Sequence, residues 1–383
     1  MKILSLVTTD LNYDQRMQRI CHTLSETGYE VTLIGRKKRA SEELRSRIFA
    51  QRRLSCWFET GKLFYLEYNL RLLWLLLFAR FDLCCAVDLD TLLPATLICK
   101  LRGKALIYDA HEYFTETPEV ARRPRIQRVW ERVARFCIPR TTDRYTVAPK
   151  LAERMGRHYG VPFGVVRNLS RSTDYPCSEV HNFDAKILLY QGALNEGRGL
   201  EALLEALPRL PGVTLWLAGE GDLSEQLRAT VRDRGLGDRV VFHGYVRPRE
   251  LTELTRRATV GLNLLEDRGL SYRYSLANKA IDYLHAGLPS VHMDFPEYRY
   301  LHERYGSYRL LPDLQPATIA AAIADLLRDR HRYEAERRAA LLAARQLNWE
   351  AERTVLVGIY QKICPIKDSR TTIYERKTSS SDP

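Results

Sequence analysis

The sequence predicts an α/β protein built of two successive doubly wound units, each a parallel sheet covered by helices on both faces. Three observations predict it. The chain has 383 residues, more than one ordinary hydrophobic core accommodates. Apolar strand-like runs alternate with helix-period runs, and the alternation begins anew after a polar stretch near residue 170. The strand candidates are continuously apolar, the pattern of strands buried on both faces.

In the first unit, strands are expected at KILSLV (2–7), EVTLIG (30–35), DLCCAVD (82–88), ALIYDA (105–110), RYTVA (144–148) and FGVVRN (163–168). Helical patterns lie between them, among them DQRMQRICHTLSETG, closed by Gly28, and RIQRVWERVARFC. The stretch 169–184 is polar and without period, and reads as a linker. In the second unit, strands are expected at KILLYQG (186–192), VTLWLAG (213–219), RVVFHG (239–244), VGLNLLE (260–266) and PSVHMD (289–294). Helices are expected at 199–207, 223–234, 248–258, 278–286 and through 315–345. A last amphipathic helix, 349–364, is expected to pack back on the first domain, and 365–383 reads as a disordered tail. The domains are therefore 1–168 and 185–345. Ligands of open α/β sheets bind at the carboxyl ends of the strands, so two such units imply a cleft between them.

Composition is that of a soluble globular protein, and the opening MKILSLVTTDLNYDQR turns polar too early for a secretory signal. The eight cysteines show no CxxC pair or metal-ligand spacing, which suits a reducing cytoplasm. The net charge of +12 is uneven: residues 1–170 hold 29 Lys and Arg against 18 Asp and Glu, the remainder 30 against 29. Such asymmetry points to an anionic partner for the first half. Zinc-finger spacing, an RNP-type strand and a basic zipper are absent, so nucleic acid is not expected. In GKLFYLEYNLRLLWLLLFARFDL (61–83), Arg71 and Arg80 bracket only eight uncharged residues, too few to span a bilayer. Two readings stand for it, a core-facing helix or an amphipathic helix on the inner face of the membrane.

Five clusters carry candidate chemistry. In YQGALNEGRGL (190–200), Gly192 ends a strand and Gly197-Arg198-Gly199 opens a helix. The backbone can approach a ligand there, and Arg198 offers a fork for phosphate oxygens, although a plain glycine-rich turn fits as well. WLAGEGDL (216–223), with Gly219 and Gly221, and FHGYV (242–246), with Tyr245, place bare backbone at one sheet edge. In SLANKAIDYLHAGLPSV (275–291), Asn278, Lys279 and Asp282 share the start of a helix behind Ala277. A helix N-terminus with a lysine suits a phosphate and a carboxylate one turn later suits a ribose diol, while an exposed Lys279–Asp282 ion pair is the bland alternative. YDAHEYFTE (108–116) sets Asp109, His111 and Glu112 at a strand end, without the second histidine of a zinc motif. TTDLNYDQRMQR (8–19) brings Asp14 and Arg16 to the same edge, as cleft residues or as a capped helix start.

In this order, YQGALNEGRGL, LWLAGEGDLSEQL, RVVFHGYVRPREL, SLANKAIDYLHAGLPSV and DFPE, supported by YDAHEYFTE and DLNYDQRMQRICHTLSETGYEV, resemble the retaining glycosyltransferases of family 4, which have the GT-B fold. The likeness spans about residues 1–365. It implies transfer of a sugar from a nucleotide-diphosphate donor of UDP or GDP type, with retention of configuration, to a glycan or lipid-linked acceptor in bacterial cell-surface polysaccharide or glycolipid synthesis. No permanently bound cofactor and no metal are implied. Gly192, Gly219, Gly221, Tyr245 and the backbone at Ala277 and Asn278 would line the donor site. Arg198 and Lys279 would hold the diphosphate, Asp282 the ribose hydroxyls, and His111 would stand near the donor sugar. Asp14, Arg16, Asp109 and Glu112 would face the cleft or the acceptor. Three positions depart from the family: Tyr274 replaces a glutamate that usually contacts the donor sugar, Ala193 replaces a basic residue of the diphosphate pair, and Asp282 shortens the second glutamate of the pattern. The alternatives are a sugar-nucleotide epimerase of the same fold and a non-catalytic nucleotide-sugar-binding partner subunit.

Overall fold

A computed structural model describes residues 1–175 and 183–366. Most of the expected tail, and residues 176–182 of the expected linker, lie outside the described residues. The two-unit α/β architecture is present. Strands β1 (Lys2–Leu6), β2 (Glu30–Lys37), β3 (Ala50–Ser55), β4 (Leu83–Val87), β5 (Ala105–Ala110), β6 (Asp143–Thr146) and β7 (Gly164–Val165) form one parallel sheet in the order β3-β2-β1-β4-β5-β6-β7. Strands β8 (Ile187–Gln191), β9 (Thr214–Ala218), β10 (Val240–Gly244), β11 (Val260–Asn263), β12 (Ser290–Met293) and β13 (Arg309–Leu311) form the second, in the order β10-β9-β8-β11-β12-β13. In both sheets the direction of winding reverses beside the first strand, so each has a switch-point crevice at the carboxyl end of β1 or β8.

The strands lie in the middle of their sheets because their side chains are apolar on both faces. All five residues of β4, LCCAV, are buried. Strand β3, AQRRLS, was not foreseen: it is a polar edge strand, and no residue of it is buried. Nor was β13, which is three residues long. The stretch 315–345 is two helices, Pro316–Arg328 and Arg330–Gln346, because Asp329 leaves helical geometry and caps the second through the amides of His331 and Arg332.

The closing helix Trp349–Ile363 buries Trp349, Leu356 and Tyr360 in the core of the N-terminal domain. Trp349 Nε1 donates to Thr23 Oγ1 at 3.2 Å, and the Tyr29 hydroxyl donates to the carbonyl of Cys364 at 2.8 Å. Further contacts join the domains across the cleft. Glu297, at the start of helix Pro296–Tyr305, caps helix Pro149–Tyr159 by accepting the amides of Lys150 and of Leu151, the latter at 3.0 Å. Arg122 pairs with Glu196 at 2.8 Å. Among the described residues no helix is long and apolar enough to cross a membrane.

Candidate active site in the interdomain cleft

On the N-terminal side, the ends of β4 and β5 bring two carboxylates, Asp88 and Asp109, to His111. Its backbone amide donates to Asp88 at 2.9 Å, and its ring lies 3.4 Å from Asp88 through Nδ1 and 3.8 Å from Asp109 through Nε2. Asp109 is fully buried, and its Oδ1 takes a 2.7 Å bond from Arg16, whose guanidinium also donates to the carbonyl of Val166. Arg16 is therefore buried in an ion pair that fixes Asp109 behind the imidazole, and offers no free charge to the cleft. Asp14 accepts from the amide of Met17 at 3.0 Å and from Thr9 at 2.7 Å, so it caps helix Gln15–Glu26 while also lining the cleft.

Burial, more than the opposing pull of Asp109, lowers the basicity of His111 and keeps the ring neutral at pH 7. Asp88 and Asp90, which sequence reasoning passed over, complete the cluster. Burial and the neighbouring carboxylates push Asp88 well above the usual carboxylate range, and burial pushes Asp90 up to about 6 against a 2.7 Å bond from Thr8. Glu112 is exposed at the rim, yet the cleft walls still desolvate it; that loss of water, with repulsion from Glu119 and Asp90, pushes it up to about 7. The available signal was DLD (88–90), two aspartates directly after a buried strand. Asp88 also holds a backbone φ of +57°, a conformation L-residues rarely adopt.

On the C-terminal side, two cations stand without a carboxylate partner among the described residues. Lys279, second residue of helix Asn278–His285, is folded over the ring of Tyr190 with Nζ 3.7 Å from its centroid. Burial and the nearby Arg198 depress its pKa well below that of an ordinary lysine. Arg198 lies over Tyr272 at 4.9 Å, its Nε buried and unbonded. Arg198 also faces Glu112 across the cleft closely enough to oppose the rise in that carboxyl's pKa. The alternative, a Lys279–Asp282 ion pair, does not form. The loops that carry these groups interlock: a Cβ on Gly219, at φ +151°, would sit 2.0 Å from the carbonyl oxygen of Gly192, and one on Gly221 would sit 2.1 Å from Asn195 Oδ1. Only glycine permits that approach.

Asp282 is elsewhere engaged. Its carboxylate accepts from Ser170 Oγ and from Gln191 Nε2, each at 2.9 Å, and from Tyr175. Gln191 in turn accepts from Thr255 at 2.9 Å. The carboxylate expected to hold a ribose thus ties the second domain to residues leading into the linker. The amide of Ala277 donates to the Tyr298 hydroxyl at 3.2 Å, leaving the first-turn amides of Asn278 and Lys279 as the ones helix geometry frees. Asn278 accepts from Asn168 at 2.9 Å across the domain gap. Tyr245 is 78% exposed beyond the edge strand β10, outside this cluster. Tyr274 rests against the core of the N-terminal domain and lines a second crevice of about 400 Å³ with Lys150 and Tyr300. The main crevice, about 580 Å³, runs between Thr9, Asp14, Arg19 and His111 on one wall and Leu276 and Asn278 on the other. No group of three or more His, Cys, Asp or Glu among the described residues is placed to hold a metal ion.

Residues 15–170 match the model of Glycosyltransferase Family 4, and residues 185–329 that of Glycosyl transferases group 1. A 62-residue stretch is 40% identical to the lipopolysaccharide core biosynthesis glycosyltransferase LpsE of Rhizobium meliloti (strain 1021), covering 16% of this chain and 18% of that protein. Sucrose-phosphate synthase from Thermosynechococcus elongatus shares the fold at a TM-score of 0.75 and 16% identity, over 94% of this chain and 98% of that one. Anabaena Alr3699/HepE, solved in complex with UDP, shares it at 0.73 and 14% identity, over 94% and 100%.

Proposed function

The chain carries a glycosyltransferase family 4 domain followed by a glycosyl transferases group 1 domain, arranged as a GT-B fold, and from that premise we propose that it transfers a sugar from a nucleoside-diphosphate donor to a glycan or lipid-linked acceptor, with retention of configuration. One observation carries the reading. Arg198 and Lys279, held on Tyr272 and Tyr190 and in no salt bridge among the described residues, converge beside a helix N-terminus at the carboxyl edge of the second sheet.

Two desolvated cations without counter-ions are an anion site in waiting, and a diphosphate is the anion this chemistry fits. As the glycosidic bond lengthens, negative charge grows on the departing diphosphate, and preorganised cations stabilise that state more than the ground state. His111 is neutral and braced by Asp88 and the Arg16–Asp109 pair, so it orients the sugar by hydrogen bonding without adding charge at the developing positive centre. The acceptor hydroxyl is held by Asp88 and Glu112, and its proton passes to the departing diphosphate as the new glycosidic bond forms. For the ribose, Asp282 serves if the Ser170 contact yields to the two sugar hydroxyls. UDP is the first nucleotide to test, since Anabaena Alr3699/HepE holds it.

The test is a thermal-shift screen of nucleoside-diphosphate sugars, then a transfer assay in which the anomeric configuration of the product is read by NMR. Arg198→Ala and His111→Ala are expected to lose at least about a hundredfold in turnover; near-wild-type transfer in both overturns the reading. The carboxylates Asp88 and Asp109 beside His111 also suit acid/base work on a sugar ring, the requirement of an epimerase of the same fold. Incubating enzyme with donor alone separates the two readings, because epimerisation needs no acceptor.

A further inference from the structure

The N-terminal domain exposes an apolar, arginine-rich face that neither the cleft nor the core accounts for. Helices Gly61–Phe78, Leu89–Arg102 and Pro124–Cys137 lie side by side on one face of the first sheet, with Tyr65 of the first edge-on to Trp130 of the third at 5.6 Å. The first helix carries large apolar residues on every face, with Lys62, Glu67, Asn69 and Arg71 confined to its first eleven residues, a composition close to that of a helix buried on every side. It buries only Phe64, Tyr68, Leu72 and Leu76. Its outer stripe, Leu63, Leu66, Leu70, Trp74 and Phe78, is 46–70% exposed. Of the twenty large apolar residues exposed among the described residues, thirteen lie on this layer: eight between 57 and 78, two on the second helix and three on the third. The clustering marks an interaction surface, since scattered exposed apolar residues need no explanation and a concentration does.

Charge identifies the occupant. Residues 122–140 hold seven arginines and one acidic residue, Glu131, and every one of the seven is exposed. Among the described residues Arg123, Arg125, Arg128 and Arg132 form no salt bridge, and on the third helix they interleave with exposed Ile126 and Val129. A protein interface concentrates its apolar residues and clears charge from its centre. Here the two kinds alternate, and Trp57 and Trp74 stand 82% and 70% exposed beside them. A lipid headgroup region is anionic and apolar within a few ångströms of depth, and tryptophan and arginine partition to it. We propose that this three-helix face docks the protein on the surface of an anionic bilayer without spanning it. The proposal stands apart from the transfer chemistry and holds for any occupant of the cleft.

The full chain, mixed with vesicles of phosphatidylcholine containing about 30 mol% phosphatidylglycerol, is expected to co-sediment at least about tenfold more than with phosphatidylcholine alone. Leu66→Glu/Leu70→Glu/Trp74→Glu and Arg125→Glu/Arg128→Glu/Arg132→Glu should each abolish that binding, with unchanged circular dichroism and thermal midpoint because every altered side chain is exposed. Bromine-labelled acyl chains should quench tryptophan fluorescence, and Trp57→Phe/Trp74→Phe should remove the quenching. Equal sedimentation with and without anionic lipid, or no quenching, overturns the proposal. So does a dimer in solution that Trp74→Glu converts to monomer, which assigns the face to a second copy of the chain.

Discussion

Replacing Lys279 with methionine should raise stability and weaken donor binding at once. The ammonium lies 3.7 Å above Tyr190, a contact worth about 0.5–2 kcal/mol while the lysine is charged. Against this stand its desolvation and the repulsion from Arg198, and the lowered pKa says that these win. Exchanging a half-buried, unpaired charge for an apolar side chain of similar length gains about 1–3 kcal/mol, or about 2–12 °C in midpoint for a domain of this size. A charge-assisted bond to phosphate is worth about 1.5–3 kcal/mol, so affinity for the nucleoside diphosphate should fall about 10- to 150-fold. The sign of the pH dependence follows. Between its lowered folded pKa and the ordinary value of 10.5, Lys279 binds its proton more in the unfolded chain than in the folded one. Wild-type stability should therefore rise with pH through that window relative to Lys279→Met. Binding a diphosphate should draw the proton back. Scanning fluorimetry reads the midpoint, and titration calorimetry in buffers of different ionisation enthalpy reads affinity and proton uptake. A variant that is less stable and binds UDP or GDP as tightly as wild type refutes the assignment.

Three other outcomes are expected. Asp109→Asn should cut turnover about tenfold or more with little change in donor affinity, because it frees Arg16 and loosens His111 without touching the diphosphate; single-turnover kinetics with calorimetry checks this. Glu297 is pushed up to about 7 by burial, despite the two amides it accepts. Its folded pKa exceeds the unfolded value of 4.5, so relative to Glu297→Gln the wild type should lose stability as pH rises from about 4.5 to about 7, by roughly 3 kcal/mol at most; urea melts across that range measure it, and a flat difference counts against the latch. Gly219→Ala should cost several kcal/mol and abolish donor-induced stabilisation, since its Cβ would meet the Gly192 carbonyl at 2.0 Å; normal thermal behaviour would show that the two loops do not interlock.

Much of the fold was legible because it rests on local signals. The run LCCAV is a central strand in any context that buries both faces, and Gly28 follows a helix where a positive φ is needed. Strand β3 was hidden because AQRRLS carries two arginines and gains its place only by pairing with β2. At the site, residue types pointed to Arg198, Lys279 and His111, whereas Asp88 and Asp90 went unnoticed because their burial beside a histidine is not a property of their own segment. Tyr190 and Tyr272 were missed for the same reason: an aromatic beneath a cation looks like any core residue in the sequence.

The sequence alone determined the strand–helix alternation, the glycine turns at the sheet edges and the cations set beside them, because these follow from side-chain periodicity and backbone conformation within a few residues. Only the tertiary structure decided what each charge meets. Arg16 reaches Asp109 across 93 positions and Ser170 reaches Asp282 across 112, so Arg16 stands as a buried brace at the crevice wall and Asp282 is bound into the domain junction. Lys279, the second residue of its helix, has no carboxylate partner because the packing around it brought Tyr190 in place of a carboxylate. Pairing and desolvation depend on distances between segments far apart in the chain, and folding alone sets those distances.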